Sequence, residues 1–305
     1  MSKLSAASPS PVSRHFPKLI FPYVRAKRWW RLSSEKAETT RILHPTDLTR
    51  NGVSAFAHAL AFALKTRRAL SLLHVTTASD SAPRKTGHQL VVETLIRWSV
   101  LCTDAGADAP SSELDLDVAS ASVPARTVRE GILDHLDTHP YELAVLATES
   151  RKGKSHWRDA ALERSALRKA QTMILFLRDG QRGFVDAATG EIRLRKVLIP
   201  IDDRIDFTGA LTRIVGFVDG LGDGVEKQLL YVGANPPATP CPDMPILVRE
   251  GPVAETILKT ALHGSFDLIA MPTAGRHGLL DAFRGSVTAE ILDAARWPVL
   301  SVPAG

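Results

Sequence analysis

The sequence predicts an α/β protein made of two tandem copies of one parallel-sheet domain. From Arg41 onward, short apolar strands alternate with amphipathic helices, the pattern of a parallel sheet flanked by crossover helices. The same order restarts after Arg195, and an internal repeat of this length is the most informative feature of the chain. With 305 residues, 44% hydrophobic and 23% charged, there is room for two such domains.

The first copy opens on the strand Ile42-Leu-His-Pro-Thr-Asp47. Val53, Phe56, Ala57, Leu60 and Leu64 then recur at three- and four-residue steps, which lines them along one helical face. A strand Leu70–Val75 follows, then a helix over residues 87–104 with Val91, Leu95 and Trp98 inward, and a strand over Leu114–Ala119. A helix over Ala125–Leu136, a strand Glu142–Ala147, a helix over Arg158–Ala170 and a strand Met173–Leu177 complete five strands and four helices.

In the second copy Val197-Leu-Ile-Pro-Ile-Asp202 answers the first strand, each ending in Pro-x-Asp. Phe207, Leu211, Ile214 and Val218 mark the first helix again, Gln228–Val232 answers Ser71–Val75, Phe266–Met271 answers Tyr141–Ala147, and Trp297–Val302 answers Thr172–Leu177. Between Val232 and Met244 the prolines exclude a helix. A parallel crossover needs about a dozen residues, so this loop closes the connection without a covering helix. One sheet face is expected to be bare there, covered by the first copy or by a second chain. Phe184–Leu194 reads as a hairpin turning at Thr189-Gly190. The boundaries are therefore 1–40 for a disordered basic extension, 41–178 for the first domain, 179–195 for the linker hairpin and 196–305 for the second domain.

Seven of the net positive charges fall within Met1–Arg41, which leaves the rest of the chain at −2 out of a total of +5. A near-neutral body lacks the extended basic face of a duplex-binding domain, so no specific nucleic-acid partner is expected. The stretch Arg25–Arg31 is suited to touch an anionic membrane surface or RNA, although short basic runs of this kind are common in variable extensions. No run reaches the roughly 18 apolar residues of a membrane helix. Cys102 and Cys241 lack CxxC spacing, which suits two core thiols in a reducing cytoplasm.

Ligands of open α/β sheets bind beyond the carboxyl ends of the strands. In the second copy those loops carry Pro200-Ile-Asp202 and Met271-Pro-Thr-Ala-Gly275, then nine residues, then Gly285-Ser286 opening a helix at Val287. The glycines let the main chain approach an anion, and Ser286 with the free amides of the following helix supplies donors. Arg276 and Arg284 add charge, and Asp202 can accept from an adenine amino group or a ribose hydroxyl. Taken singly, a glycine pair reads as a turn and a serine at a helix start as a cap.

Together, on this frame, they resemble the G-x2-G-x9-G-[S/T] motif of universal stress proteins, and the resemblance extends from Arg41 to Pro303, including the closing Pro-Val-Leu-x-Val-Pro strand. It implies Rossmann-like (adenine nucleotide alpha hydrolase-like) domains with five-stranded parallel sheets, the second lacking one helix, whose final strands pair across the domain interface. It implies ATP or a related adenine nucleotide as ligand, held by Pro200, Ile201, Asp202, Val232, Met271, Gly275, Gly278, Gly285, Ser286 and Val287. Pro272 stands where the motif has its first glycine, and proline removes one amide; Gly278 offers local freedom instead.

The first copy keeps Pro45-Thr-Asp47, but its phosphate loop runs Ala147-Thr-Glu-Ser150 and, nine residues on, Ala160-Ala161, so it is expected to serve as a structural partner. His44 and His74 read as strand residues and His277 as a loop residue. The Asp202-Asp203 pair has the choice of holding Mg²⁺ with the nucleotide or capping a turn. No nucleophile stands beside a base, so no catalytic set is assigned, and the resemblance implies at most slow ATP hydrolysis. The function read from the sequence is that of a cytoplasmic stress-response sensor with its domains paired within the chain. A homodimer and an unidentified protein partner stay open, and the alternative is a nucleotide-independent interaction module of the same fold.

Overall fold

A computed structural model describes residues 41–47, 52–78, 86–148, 171–178, 183–239, 241, 244–273 and 287–304. The basic extension over residues 1–40 and the helix expected over Arg158–Ala170 lie outside them. The first half holds β1 (Arg41–Pro45), α1 (Val53–Thr66), β2 (Ala69–Thr76), α2 (Gly87–Arg97), α3 (Ala109–Leu114), β3 (Val118–Pro124), α4 (Val128–Thr138), β4 (Leu143–Thr148) and β5 (Met173–Arg178). The second holds β6 (Lys196–Ile201), α5 (Thr208–Leu221), β7 (Glu226–Val232), β8 (Ile246–Arg249), α6 (Val253–His263), β9 (Leu268–Thr273), α7 (Val287–Ala294) and β10 (Val299–Pro303).

These strands form one ten-stranded sheet in the order β3-β2-β1-β4-β5-β10-β9-β6-β7-β8. Within each half the pairing is parallel, and the halves join where β10 runs antiparallel to β5, as the resemblance implied. The register at that seam is symmetric. Leu175 lies beside Val145 of β4 and Leu300 beside Ala270 of β9, so the two leucines hold equivalent places in the repeat, and they pair with each other. On either side Val299 meets Phe176 and Ser301 meets Ile174. Equivalent residues therefore exchange places across a local two-fold, the arrangement of a self-complementary dimer contact built within one chain.

Alternation along the strands sends successive side chains to opposite faces. Ile42 and Val197 join one large core beneath α1, α2 and α5, which runs through both halves. Leu43 enters a second core under α4, and Leu198 a third under α6 and α7. Leu292 of α7 packs against both of these smaller cores and so bridges the seam. On the large-core face Phe62 of α1 serves as the bridge, its ring meeting Phe217 of α5 edge-on at 5.5 Å and stacking on Phe184 at 5.8 Å.

The linker forms the expected hairpin, with Val185 bridged antiparallel to Ile192 and Gly190 at φ 75. It is docked by two close approaches. Trp98 donates from Nε1 to the Ala187 carbonyl at 3.0 Å, and a Cβ on Gly190 would fall 2.4 Å from its ring. His58 lies fully buried in α1, donates from Nδ1 to the Ser54 carbonyl at 2.6 Å and accepts the Val185 amide at Nε2.

Four expectations need correction, the first being that Cys102, read as a core thiol, is exposed. The strand placed over Leu114–Ala119 runs instead from Val118 to Pro124, because Pro110 opens the short helix α3 and Asp115, at φ 54, ends it. The helix over residues 87–104 stops at Arg97, since Ser99 adopts φ 59 and breaks the spiral. The sheet face beside the proline-rich loop is not left bare, because Cys241, Met244 and Ile246 of this region pack against the large core themselves. No helix appears among the described residues of residues 233–245, as the prolines required.

Burial holds both His44 and His58 down at about 4 from an ordinary 6.5, with the carbonyls of Val145 and Ser54 opposing in part. The unfolded chain therefore takes up these protons first. The stability they contribute is complete above pH 6.5 and is lost as pH falls toward 4, at roughly 1.4 kcal/mol per pH unit for each histidine. Urea unfolding between pH 7 and 5 is expected to show this slope, and His58→Gln is expected to flatten it by about half even as it lowers stability; an undiminished slope in the variant would refute the assignment.

Candidate functional site

The site follows from where two strand pairs part. β6 and β9 pair over only Val197↔Leu268 and Leu198↔Ile269. The Lys196 carbonyl accepts from the Asp267 amide at 2.9 Å, so by alternation residues 198 and 200 also face β9. The next rung would run from the amide of residue 200 to the Ala270 carbonyl, but residue 200 is proline and has no donor. Opposite it, the Ile269 amide bonds Pro298 on the β10 side, which by the same alternation turns residue 272 toward β6. That residue is Pro272. Two prolines thus face one gap from both walls, and the ladder ends there.

The first half repeats this arrangement with a difference. β1 and β4 pair over only Ile42↔Leu143 and Leu43↔Ala144. The Thr46 amide bonds Leu73 of β2, so Pro45 faces β4 and leaves the Val145 carbonyl without its amide. The fully buried His44 supplies the missing donor, giving its Nδ1 proton to that carbonyl at 2.9 Å, with the ring 5.8 Å from Phe56. In the second half Ile199 holds the place of His44 and has no proton to give. One gap is closed by a side chain of the chain itself, and among the described residues no side chain is recorded closing the other.

These gaps are the topological switch points at which open α/β sheets bind ligands. At the second one, Pro200 and Ile201 are the last buried residues of β6, Val232 ends β7, and Met271, Pro272 and Thr273 are buried in β9. Val287 begins α7 on the far side of residues 274–286. Gly275, Arg276, His277, Gly278, Arg284, Gly285 and Ser286 lie outside the described residues, as do Ser150, Ala160 and Ala161 of the first copy. Pro272 stands inside β9, in register with Val302, so the missing amide is a strand donor directed at the gap.

Asp202 emerges just past β6 with its carboxylate already engaged. The Arg204 amide reaches Oδ1 at 3.0 Å, its Nε reaches Oδ1 at 2.8 Å and Oδ2 at 3.0 Å, and its terminal nitrogen also bonds Oδ2. The Arg204 guanidinium holds the Asp202 carboxyl below the usual range. Asp203 instead accepts from the Tyr231 hydroxyl at 3.3 Å. The two carboxylates thus have separate protein partners, and among the described residues no group of three or more His, Cys, Asp or Glu is placed to hold a metal ion. Arg204 went unread in the sequence, where the signal was an arginine two residues beyond Asp202. His44, read only as a strand residue, also has a second role in completing the strand pair.

Fold and gap together define a tandem Rossmann-like α/β protein with its two sheets fused edge to edge. Residues 238–303 match the universal stress protein family. A universal stress protein from Archaeoglobus fulgidus DSM 4304 superposes with a TM-score of 0.56 at 15% identity, covering 87% of this chain and 96% of that one. A protein of unknown function from Pseudomonas aeruginosa PAO1 gives 0.54 at 15% identity, over 87% and 92% of the two chains. At such identity the likeness speaks for the fold. No curated protein sequence matches the chain.

If His44 completes the β1–β4 rung, His44→Leu leaves the buried Val145 carbonyl without a donor. A loss of about 1–3 kcal/mol at pH 7 is expected, read from urea unfolding. An unchanged midpoint would show that the hydrogen bond contributes nothing.

Proposed function

We propose that this protein binds ATP or a related adenine nucleotide in its second repeat and acts as a stress-response sensor or regulator in the cytoplasm. The domain boundaries 41–178 and 196–305, joined by the hairpin, carry this division of labour. The observation behind the reading is the frame itself: β9 ends at Thr273 beside the β6 gap, α7 begins at Val287, and the segment between them carries Gly275 and Gly285-Ser286 inside the family match. A helix N-terminus following a glycine-rich segment favours a phosphate through free amides and the helix dipole. The first repeat lacks those glycines, and His44 already occupies the donor role at its gap. Among the described residues no helix is long and apolar enough to cross a membrane.

Two features set the terms of binding. Pro272 gives up one amide at the gap, and Arg204 holds the Asp202 carboxylate. A carboxylate has about four acceptor positions, and Arg204 uses several of them, so a ligand donor at Asp202 competes with an arginine. The same two features support the second reading, a nucleotide-independent interaction module.

Calorimetric titration with ATP and Mg²⁺ decides between them. The nucleotide reading expects saturable one-site binding that Gly285→Asp abolishes, since the added carboxylate opposes the phosphates. It further expects Arg204→Gln to tighten binding severalfold by releasing Asp202. Absence of binding by the wild-type protein would leave the interaction module as the account of the fold.

A further inference from the structure

The amino ends of the strands, opposite the two gaps, carry a side-chain cluster that the nucleotide reading does not use. His135 lies in the last turn of α4 and His139 at its cap, four residues apart, a spacing that brings two imidazoles to one side of a helix. Their rings stack with centroids 4.3 Å apart and planes at 21°. His135 is half-buried, and His139 is exposed.

Each ring is held through one nitrogen. His139 turns Nδ1 toward the His135 carbonyl at 3.2 Å, and a carbonyl only accepts, so that nitrogen carries the proton. The Thr138 hydroxyl donates to the Asp134 carbonyl and accepts from the same Nδ1 at 2.9 Å. The lone pair of neutral His139 is therefore on Nε2. His135 meets the Tyr141 hydroxyl through Nε2 at 2.8 Å. Tyr141 is buried just before β4 and is itself hydrogen bonded to Ser71 of β2. With Nε2–H donating to the phenol oxygen, His135 keeps its lone pair on Nδ1.

Metal-ligating histidines are held in this way, one ring nitrogen on the metal and the other N–H given to an oxygen of the protein. Metal–imidazole bonds are about 2.0–2.1 Å long, so a rotation of the exposed His139 brings both lone pairs to one ion. The surroundings favour a cation. The last turn of α4 presents carbonyls at the negative end of the helix dipole, and Arg41, whose charge acts on Tyr141, pairs with Asp117 at 3.4 Å. Burial, and then the neighbouring His139, lower the pKa of His135, which keeps its imidazole neutral as a ligand must be.

We propose that His135 and His139 form a two-imidazole site for a late first-row divalent cation, oriented by Tyr141 and completed by water. The nitrogen ligands take Cu²⁺ ahead of Zn²⁺ and leave Mg²⁺ and Ca²⁺, which prefer oxygen, unbound. Two protein ligands fall short of the closed set of a structural zinc site, in keeping with the absence of a larger cluster among the described residues. The site therefore exchanges its metal. It stands at the other end of the strands from the second gap and is independent of the nucleotide reading.

The test is calorimetric titration of the tag-free, full-length protein with CuCl₂ and ZnCl₂ at neutral pH, with electron paramagnetic resonance of the bound copper. The wild-type protein is expected to bind one more Cu²⁺ than His139→Gln, in which only an exposed side chain changes. That copper is expected to show two nitrogen ligands, a signature absent from the variant. Tyr141→Phe is expected to weaken the same site about tenfold, as loss of the group that orients a ligating histidine does. Equal copper stoichiometry and affinity in the wild type and His139→Gln would mean that the histidines only cap α4, and overturns the inference. Wild-type affinity in a folded Tyr141→Phe overturns the orientation by Tyr141; if that variant does not fold, His139→Gln alone decides.

Discussion

The antiparallel join of β5 and β10 is the contact on which the rest of the molecule depends. Each half alone would end at a strand whose unpaired amides and carbonyls face water, an open edge of the kind that invites association. Pairing the two final strands removes both edges at once and turns two five-stranded sheets into one of ten. Because Leu175 meets its own equivalent Leu300, the join is as symmetric as a dimer interface. It need not be assembled from two chains, since the hairpin tethers the halves. The continuous core under α1, α2 and α5 follows from that join, because only a shared sheet brings Phe62 and Phe217 into contact.

Symmetry at the seam makes the departures from it informative. Both halves use proline to end the ladder between their first and fourth strands, at Pro45 and at Pro200, so the gap at each switch point is written into the backbone chemistry. The halves then diverge. His44 gives the first gap a donor of its own, and burial keeps that imidazole neutral with its pKa near 4. The second gap meets Pro272 from the opposite wall instead, and its aspartate turns to Arg204. A sheet that is two-fold at its centre thus becomes unequal at the strand ends, where sequence change least disturbs the core.

Much of this was legible in the sequence, for reasons that particular residues show. Val197–Ile201 announces itself as a buried strand by a continuous apolar run, Ile42–Pro45 by the same pattern interrupted only at His44, each closed by Pro-x-Asp, and the repeat fixes their order. β3 did not, because Val-Ala-Ser-Ala-Ser-Val-Pro is small and polar and lies at the sheet edge. Its pairing with β2 makes it a strand, whereas Leu114 and Leu116 gave the apolar alternation that drew the expectation four residues too early. The residues proposed for the site were named from their types and spacing, which carry no sign of their partners. Asp202 could be named from its place at a strand end, while its capture by Arg204 depends on the turn between them. His58 was unreadable for the opposite reason: its partner, the Val185 amide, lies 127 residues away.

The contacts across the seam also bear on why two unequal repeats stay in one chain. A first repeat that only covered apolar surface could be replaced by any partner of similar shape. Here it contributes specific polar groups, with Arg178 reaching the last carbonyls of α7. In the reverse direction Arg213 of α5 donates to the Gln171 carbonyl just before β5, while also reaching Pro303 at 3.3 Å. Arg213 is well enough buried that desolvation lowers its pKa, and a buried cation is costly unless its donors are satisfied. Each half therefore places an arginine that reaches acceptors in the other. The last turn of α7 and Gln171 just before β5 are thereby each tied to the other half of the sheet.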